Sequence, residues 1–146
     1  VYCYGGTNHW LAHAWTVNGF APLLRELLYQ PVYVGMSAGS MIFSRAHAAM
    51  VVAFDDQEEV AMLRLEAVGP ALPLFEWGVM AHLGASFLPH QTDEWAAASA
   101  ARLGSPVSFI DDGSALLVRD AADAPEVVSD GHWLRFGEGG ELVDSQ

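Results

Sequence analysis

The segment Val32-Tyr33-Val34-Gly35-Met36-Ser37-Ala38-Gly39-Ser40-Met41-Ile42 carries an apolar strand into a small-residue turn with a serine at its tip. Gly35, Ser37 and Gly39 fit the nucleophile-elbow pattern, in which a strand-to-helix turn lifts one hydroxyl clear of a sheet. The glycines permit the sharp backbone path and leave room around the serine. A helix starting near Ala38 would aim its free amides at the place where an oxyanion forms. The chemistry such a turn supports is acyl transfer. The same pentapeptide also suits a Gly-rich turn with a capping serine.

A serine hydroxyl is a poor nucleophile near neutral pH and needs an imidazole in reach and an acid to orient it. Six histidines are available: His9, His13, His47, His82, His90 and His132. His90, in Ser86-Phe87-Leu88-Pro89-His90-Gln91, is expected just past an apolar strand. Pro89 would fix the direction in which it leaves, so His90 is the expected base. The acid is expected at Asp112, which follows the apolar run Phe109-Ile110 within Asp111-Asp112-Gly113. Its neighbour Asp111 could instead cap that turn. Asp56 and Glu76 are alternative acids. His9-Trp10-Leu11-Ala12-His13 places two imidazoles on one helix face at a spacing zinc can use. The glutamate of the metalloprotease motif is replaced there by Trp10 and no third ligand follows, so a surface or half-buried pair is expected and no metal. The tryptophans at 10, 15, 77, 95 and 133 are expected in the core or in a cleft wall.

These residues need a scaffold. The chain has 146 residues, one domain's worth, and 52% of them are hydrophobic, ample for a buried core. Acids outnumber bases 18 to 6, for a net charge of -12. That balance repels phosphate backbones and anionic lipid, which makes nucleic acid and membrane surfaces poor partners. No apolar run approaches the ~18 residues of a membrane span. The single cysteine, Cys3, excludes an internal disulfide framework, fits a reducing, cytoplasmic compartment, and is expected in the core. The chain opens on Val1-Tyr2-Cys3-Tyr4, which reads as a strand entered within a longer protein that would supply further N-terminal elements, with a processed mature terminus as the alternative.

Strand-like and helix-like segments alternate. Strands are expected at Val1-Tyr4, Val32-Gly35, within Val79-Leu88, and at Val107-Ile110. Helices are expected from His9 to Val17, Ala21 to Tyr29, Ala38 to His47, and from a Thr92 or Asp93 cap to Leu103. Asn18-Gly19 breaks the first helix from the second. Met50-Phe54 is ambiguous, and Asp55-Glu59 is an acidic loop or helix start. Ala115-Val118, Val127-Val128 and Trp133-Phe136 read as a closing meander, with Ser129-Asp130-Gly131 as a hairpin turn. The last ten residues read as loose. The fold class is therefore α/β: a mostly parallel open sheet with helices on both faces and antiparallel strands near the C-terminus. Sites in such sheets gather at the carboxyl ends of the strands. Three turns follow such ends, at Gly5-Asn8, Gly35-Gly39 and Asp111-Gly113, and are expected to converge.

With these residues in place the chain resembles the peptidase E (aspartyl dipeptidase) and cyanophycinase family of serine peptidases. The resemblance runs from Tyr4 to about Phe136. Tyr4-Gly5-Gly6-Thr7-Asn8 resembles the family's glycine-rich loop, with Thr7 in place of one glycine. Gly35-Met36-Ser37-Ala38-Gly39-Ser40 resembles its nucleophile turn, Leu88-Pro89-His90 its Pro-His segment, and Ile110-Asp111-Asp112-Gly113-Ser114-Ala115-Leu116 the segment that carries the acid in cyanophycinases. The resemblance implies a class I glutamine amidotransferase-like, flavodoxin-like fold whose N-terminal βαβ portion this chain lacks. It implies Ser37 as nucleophile, His90 as base and Asp112 as acid, with Asp56 as the alternative acid. It implies an oxyanion hole from the amides of Gly6 and Ala38, and substrate contacts from Gly5, Asn8, Gly35 and Met36. No cofactor is implied. The partner implied is a small peptide substrate, and a homodimer is an option. Aspartyl dipeptidases bind an acidic side chain with an arginine downstream of the Pro-His segment. Here Gln91-Thr92-Asp93-Glu94-Trp95 follows and Arg102 is the first basic residue, so a different selectivity is expected.

Two further readings make different demands. An α/β-hydrolase esterase runs serine, acid, histidine along the chain, which here means Ser37, Asp112 and His132. A catalytically inactive binding domain of the same fold would need no triad.

Overall fold

The computed structural model describes residues 1–27 and 32–146, without the side chain of Leu27. The strands are β1 (Tyr2–Cys3), β2 (Val34–Gly35), β3 (Gly78–Ala81), β4 (Val107–Ile110), β5 (Ser114–Leu117), β6 (Glu126–Ser129), β7 (Trp133–Phe136) and β8 (Leu142–Ser145). The helices are α1 (Asn8–Val17), α2 (Phe20–Leu27), α3 (Ala38–Met41), α4 (His47–Ala53), α5 (Gln57–Met62) and α6 (Asp93–Leu103). The fold is mixed α/β, with no closed barrel among the described residues.

The central sheet has the order β3-β4-β7-β8. Every residue of β3 and β4 is buried, as the continuous apolar runs of a strand covered on both faces require. Phe109, wholly buried, meets Phe54, Trp95 and Phe136 edge to face or tilted, which centres the main core between the sheet, α4 and α6. Burial of such a ring stabilises by about 1.5–3 kcal/mol. α6 approaches closely because its inner face is Ala96, Ser99 and Ala100. Thr92 caps it by accepting a hydrogen bond from the Trp95 amide at 3.3 Å, and Gly104 closes it in the left-handed conformation. A second apolar cluster, including Leu24, Ile42 and Phe43, seats α1 and α2 against the nucleophile segment.

Pairing of β3 with β4 is parallel, with Ala81 opposite Ile110. The two strands end level, so His82 and the Asp111-Asp112 pair leave the sheet side by side.

Several expectations are corrected. Among the described strands β1 with β2 and β3 with β4 pair in parallel, whereas β4 with β7, β5 with β6 and β7 with β8 are antiparallel. The sheet is therefore not mostly parallel. β1 and β2 form a separate pair, because α3 packs against both β2 and β3 and only an isolated bridge between Ser44 and Phe75 links the intervening chain. The expected helix from Ala38 to His47 is interrupted after Met41, and α4 takes up the ambiguous apolar run. The expected helix to Tyr29 is observed through Leu27, and its last two residues lie outside the described ones. The strand expected within Val79-Leu88 stops at Ala81. The meander is not continuous, since β5 and β6 form their own hairpin while β7 joins β4. The C-terminal residues are not loose: a turn at Gly137–Gly140 returns the chain so that β8 pairs with β7.

Candidate active site

Ser37 occupies the turn between β2 and α3 with φ 54 and ψ -128, a conformation L-residues adopt only under constraint. Its neighbours show the constraint. A Cβ on Gly35 would lie 2.5 Å from the Gly39 carbonyl oxygen, and one on Gly39 would lie 2.5 Å from that of Cys3. The strand and the returning helix thus meet backbone to backbone, and any side chain would prise them apart. Tyr33 donates its hydroxyl to the Gly39 carbonyl at 2.7 Å. Burial, with the neighbouring Cys3, raises its pKa far above the usual phenol value, so it stays a donor. Ser40 closes the turn by donating to the Ser37 carbonyl at 2.6 Å. Cys3 is buried beneath, as expected of a core thiol.

The imidazole at Ser37 is that of His82. Its Nε2 lies 2.9 Å from Ser37 Oγ, and its Nδ1 lies 2.6 Å from Asp112 Oδ1. His82 also has a positive φ, 72, at the point where β3 ends. Its ring is half-buried against the edge of Phe87, and the Asp112 carboxylate is exposed. With its amide oriented to satisfy both ends, the buried Gln91 donates to the carbonyls of Ala81 at 3.2 Å and His82 at 3.1 Å, fixing the strand exit. The arrangement lets Ser37 donate to Nε2 while Nδ1–H donates to the carboxylate, the geometry a serine nucleophile requires.

Asp111 is turned the other way. It accepts from Gly113 N, Ser114 Oγ and His132 N. Partial burial opposes its charge, but these three hydrogen bonds outweigh it and hold the carboxyl below the usual range. Of the adjacent acids, one shapes the turn and the other meets the imidazole.

The other candidates fall as follows. His90 is exposed, its ring edge-on to Trp95 and away from Ser37, and the imidazole that meets the Ser37 hydroxyl is that of His82. The physical reason is the early end of β3: the chain leaves the sheet at His82, and residues 83–90 form the turns beyond it. His132 bonds Asp93 and the Gln146 carbonyl, so the Ser37, Asp112, His132 order is not assembled. Asp56 lies 3.1 Å from His9 Nε2, and Glu76 pairs with Arg45. The loop Gly5-Gly6 does lie over the nucleophile: a Cβ on Gly5 would sit 3.2 Å from Ser37 Oγ, and Gly6 has φ 115. Ala38 is the first residue of α3, so its N–H belongs to those a helix leaves without an internal partner. Met36 is exposed beside the turn, whereas Asn8 is buried with its Oδ1 accepting from His9 N. Of the expected surface or half-buried pair, His13 is half-buried against Trp10, whereas His9 is fully buried towards His47 and Asp56. Among the described residues no group of three or more His, Cys, Asp or Glu side chains is placed to hold a metal ion. Nor is any helix among them long and apolar enough to cross a membrane.

Sequence reasoning missed His82, since no local turn signal marks the end of β3 after Ala81. In the structure His82 follows the last residue of β3 as Asp111 follows the last residue of β4, with Asp112 one position further on.

Residues 1–123 match the sequence model of Peptidase family S51. No curated protein and no solved structure matches the chain.

Proposed function

The chain belongs to Peptidase family S51, a family of serine peptidases, and from that premise we propose that it hydrolyses a peptide bond of small peptides through an acyl-enzyme. Ser37 is the nucleophile, His82 the general base and Asp112 the residue that orients it. His82 takes the Ser37 proton as Oγ attacks the scissile carbonyl. The oxyanion is received by the amides of Ala38 and Gly6, the second from the loop that overhangs Ser37. His82 then returns the proton to the leaving amine, and a water activated by the same imidazole releases the acid.

The observation that carries this reading is the unbroken hydrogen-bond relay from Ser37 Oγ through His82 to Asp112. The chain order of nucleophile, base and acid is also the order the family resemblance implies, with the base moved from His90 to His82. The class I glutamine amidotransferase-like fold belongs to the same reading.

Selectivity for an acidic first residue is disfavoured. Arg102 donates to the Ala53 carbonyl and to Asp55 at 3.0 Å, so it ties α6 to the end of α4. An open cleft of about 550 Å³ near the chain's exit from β3 has Asp93 and Glu94 in its lining, carboxylates that would repel an acidic side chain placed there. Hydrogen bonding at the start of α6, from the Glu94 amide and then Thr92, favours the charged form of Glu94. A panel of dipeptides set against aryl esters tests the proposal. Release of free amino acids from dipeptides with neutral or basic first residues, lost in Ser37→Ala, supports it. Cleavage of esters alone contradicts it.

A further inference from the structure

Behind the Gly5-Gly6 loop lies a second polar chain that the proposed chemistry does not use. Asp56 Oδ2 is 3.1 Å from His9 Nε2, His9 Nδ1 is 3.2 Å from His47 Nε2, and His47 Nδ1 is 3.3 Å from the Met41 carbonyl oxygen. Both imidazoles are buried, at 1% and 0% exposure. The chain joins four pieces of the molecule: α1, directly after the loop over Ser37; α3, which carries the Ser37 turn; α4; and the residue that precedes α5.

Its proton count is informative. The chain ends on an acceptor at each side, a carboxylate and a peptide carbonyl. Three hydrogen bonds therefore require three protons on nitrogen, and two neutral imidazoles bring only two. If His47 donates to Met41, its Nε2 must accept from His9 Nδ1–H, and His9 Nε2 must also carry a proton to meet Asp56. Burial, then the proximity of His9, pushes His47 down to about 4, which makes His47 the neutral ring. Leaving one link unmade would turn two acceptors towards each other, at least one of them on a wholly buried imidazole, which is costly.

We infer that His9 is a positioning residue: with both ring nitrogens protonated between Asp56 and His47, it fixes the Gly5-Gly6 loop over Ser37. The inference rests on the proposed role of that loop for its catalytic consequence, though not for its proton count. One further ionisable group faces the cluster from α5. Glu59 has a buried Oε1 without a partner among the described residues, and burial, then Asp56, raises its pKa. Thr7 and Asn8 are the neutral neighbours, and the Asn8 amide nitrogen is likewise without a partner among the described residues.

The decisive variant is Asp56→Asn. An asparagine amide can donate to His9 Nε2, after which two neutral imidazoles satisfy every link and the third proton is no longer needed. The experiment records ring-nitrogen shifts of the 15N-labelled protein from pH 6 to 9, with His9→Gln and His47→Gln assigning the signals. The same samples give the backbone amide positions of Gly5 and Gly6. The expected result at pH 7 is a doubly protonated His9 ring beside a neutral His47 protonated on Nδ1. In the unsubstituted protein, removal of that second His9 proton moves the Gly5 and Gly6 amides. In Asp56→Asn the His9 ring is neutral and the two glycine amides hold still across the range, whereas Glu59→Gln repeats the unsubstituted pattern. In peptide hydrolysis, His9→Gln lowers kcat by about 10²-fold with little change in KM, the loss expected for a misplaced oxyanion donor. A neutral His9 ring in the unsubstituted protein at pH 7, or glycine amides indifferent to its proton, overturns the inference. A protein inert towards every peptide but with the expected ring and amide signals leaves the positioning network standing and counts against the peptidase reading alone.

Discussion

Ser37, His82 and Asp112, the triad of the proposed reaction, do not share one environment. Ser37 is held by backbone packing and His82 is half-buried, while the Asp112 carboxylate lies largely in water. An exposed carboxylate orients an imidazole less firmly than a buried one, because solvent screens it. Asp112→Asn is accordingly expected to lower kcat by about 10⁴-fold or less, against about 10⁶-fold for Ser37→Ala, as measured on the best dipeptide found. Equal losses for the two variants would contradict this division of labour. Two members of the Ser37, His82, Asp112 relay were legible from the chain because each sits in a local pattern, small residues around Ser37 and an acidic turn after Phe109-Ile110. The imidazole was not. His82 has no flanking turn signal of its own, and the apolar run around it extends to Leu88, so Pro89-His90 looked like the exit. What ends β3 is the positive φ of His82, supported by the carbonyl contacts of the distant Gln91. That is a tertiary cause without a local signature.

At the scale of elements, the site depends on how closely β1, β2 and α3 approach one another. Gly39→Ala would drive a methyl against the Cys3 carbonyl, and since that carbonyl belongs to the backbone and a methyl has no rotamers the strain cannot be relieved by a rotamer change. A loss of about 1–3 kcal/mol is expected, or roughly 2–4 °C in Tm per kcal/mol for a chain of this size. Gly69→Ala meets nothing within 4 Å and serves as the control, with little change expected. Similar thermal shifts in the two variants would refute the packing argument. Most elements were legible because they rest on local signals: the Asn18-Gly19 break, the Thr92 cap, the Val107-Ile110 run. The errors lie where partners decide. The Gly-rich tail has no apolar periodicity strong enough to announce a strand, yet β7 offers it an edge, and β8 forms there. The interruption after Met41 is of the same kind, since Ser44 and Phe75 pair across the gap between two strand sets.

For the whole molecule the question is how stability responds to pH. His132 is raised, first by its hydrogen bond to Asp93, so its contribution is complete below its ordinary value of 6.5 and is lost as pH rises through its folded value. Asp111 is depressed, so its contribution is present above 3.8 and lost as pH falls through its folded value. His47 is a base held neutral: between 6.5 and about 4 the unfolded chain takes the proton first, so stability falls with acidification. The last effect is on the order of 3 kcal/mol at most. Relief of repulsion within a chain of net charge -12 works in the opposite sense on the acid side. Urea unfolding of the protein and of His132→Gln separates these contributions. The variant should lose stability relative to the unsubstituted protein below pH 6.5, and the gap should narrow at alkaline pH. A gap that widens with rising pH would reverse the sign assigned to the His132 and Asp93 pair.

All three scales meet in the identity of the base, since only the level ends of β3 and β4 bring His82 between Ser37 and Asp112. Labelling of Ser37 with a fluorophosphonate probe reads this directly, comparing His82→Ala with His90→Ala at equal folded concentration. The account predicts that labelling is abolished in His82→Ala and retained in His90→Ala. Retained labelling in His82→Ala together with its loss in His90→Ala would contradict it.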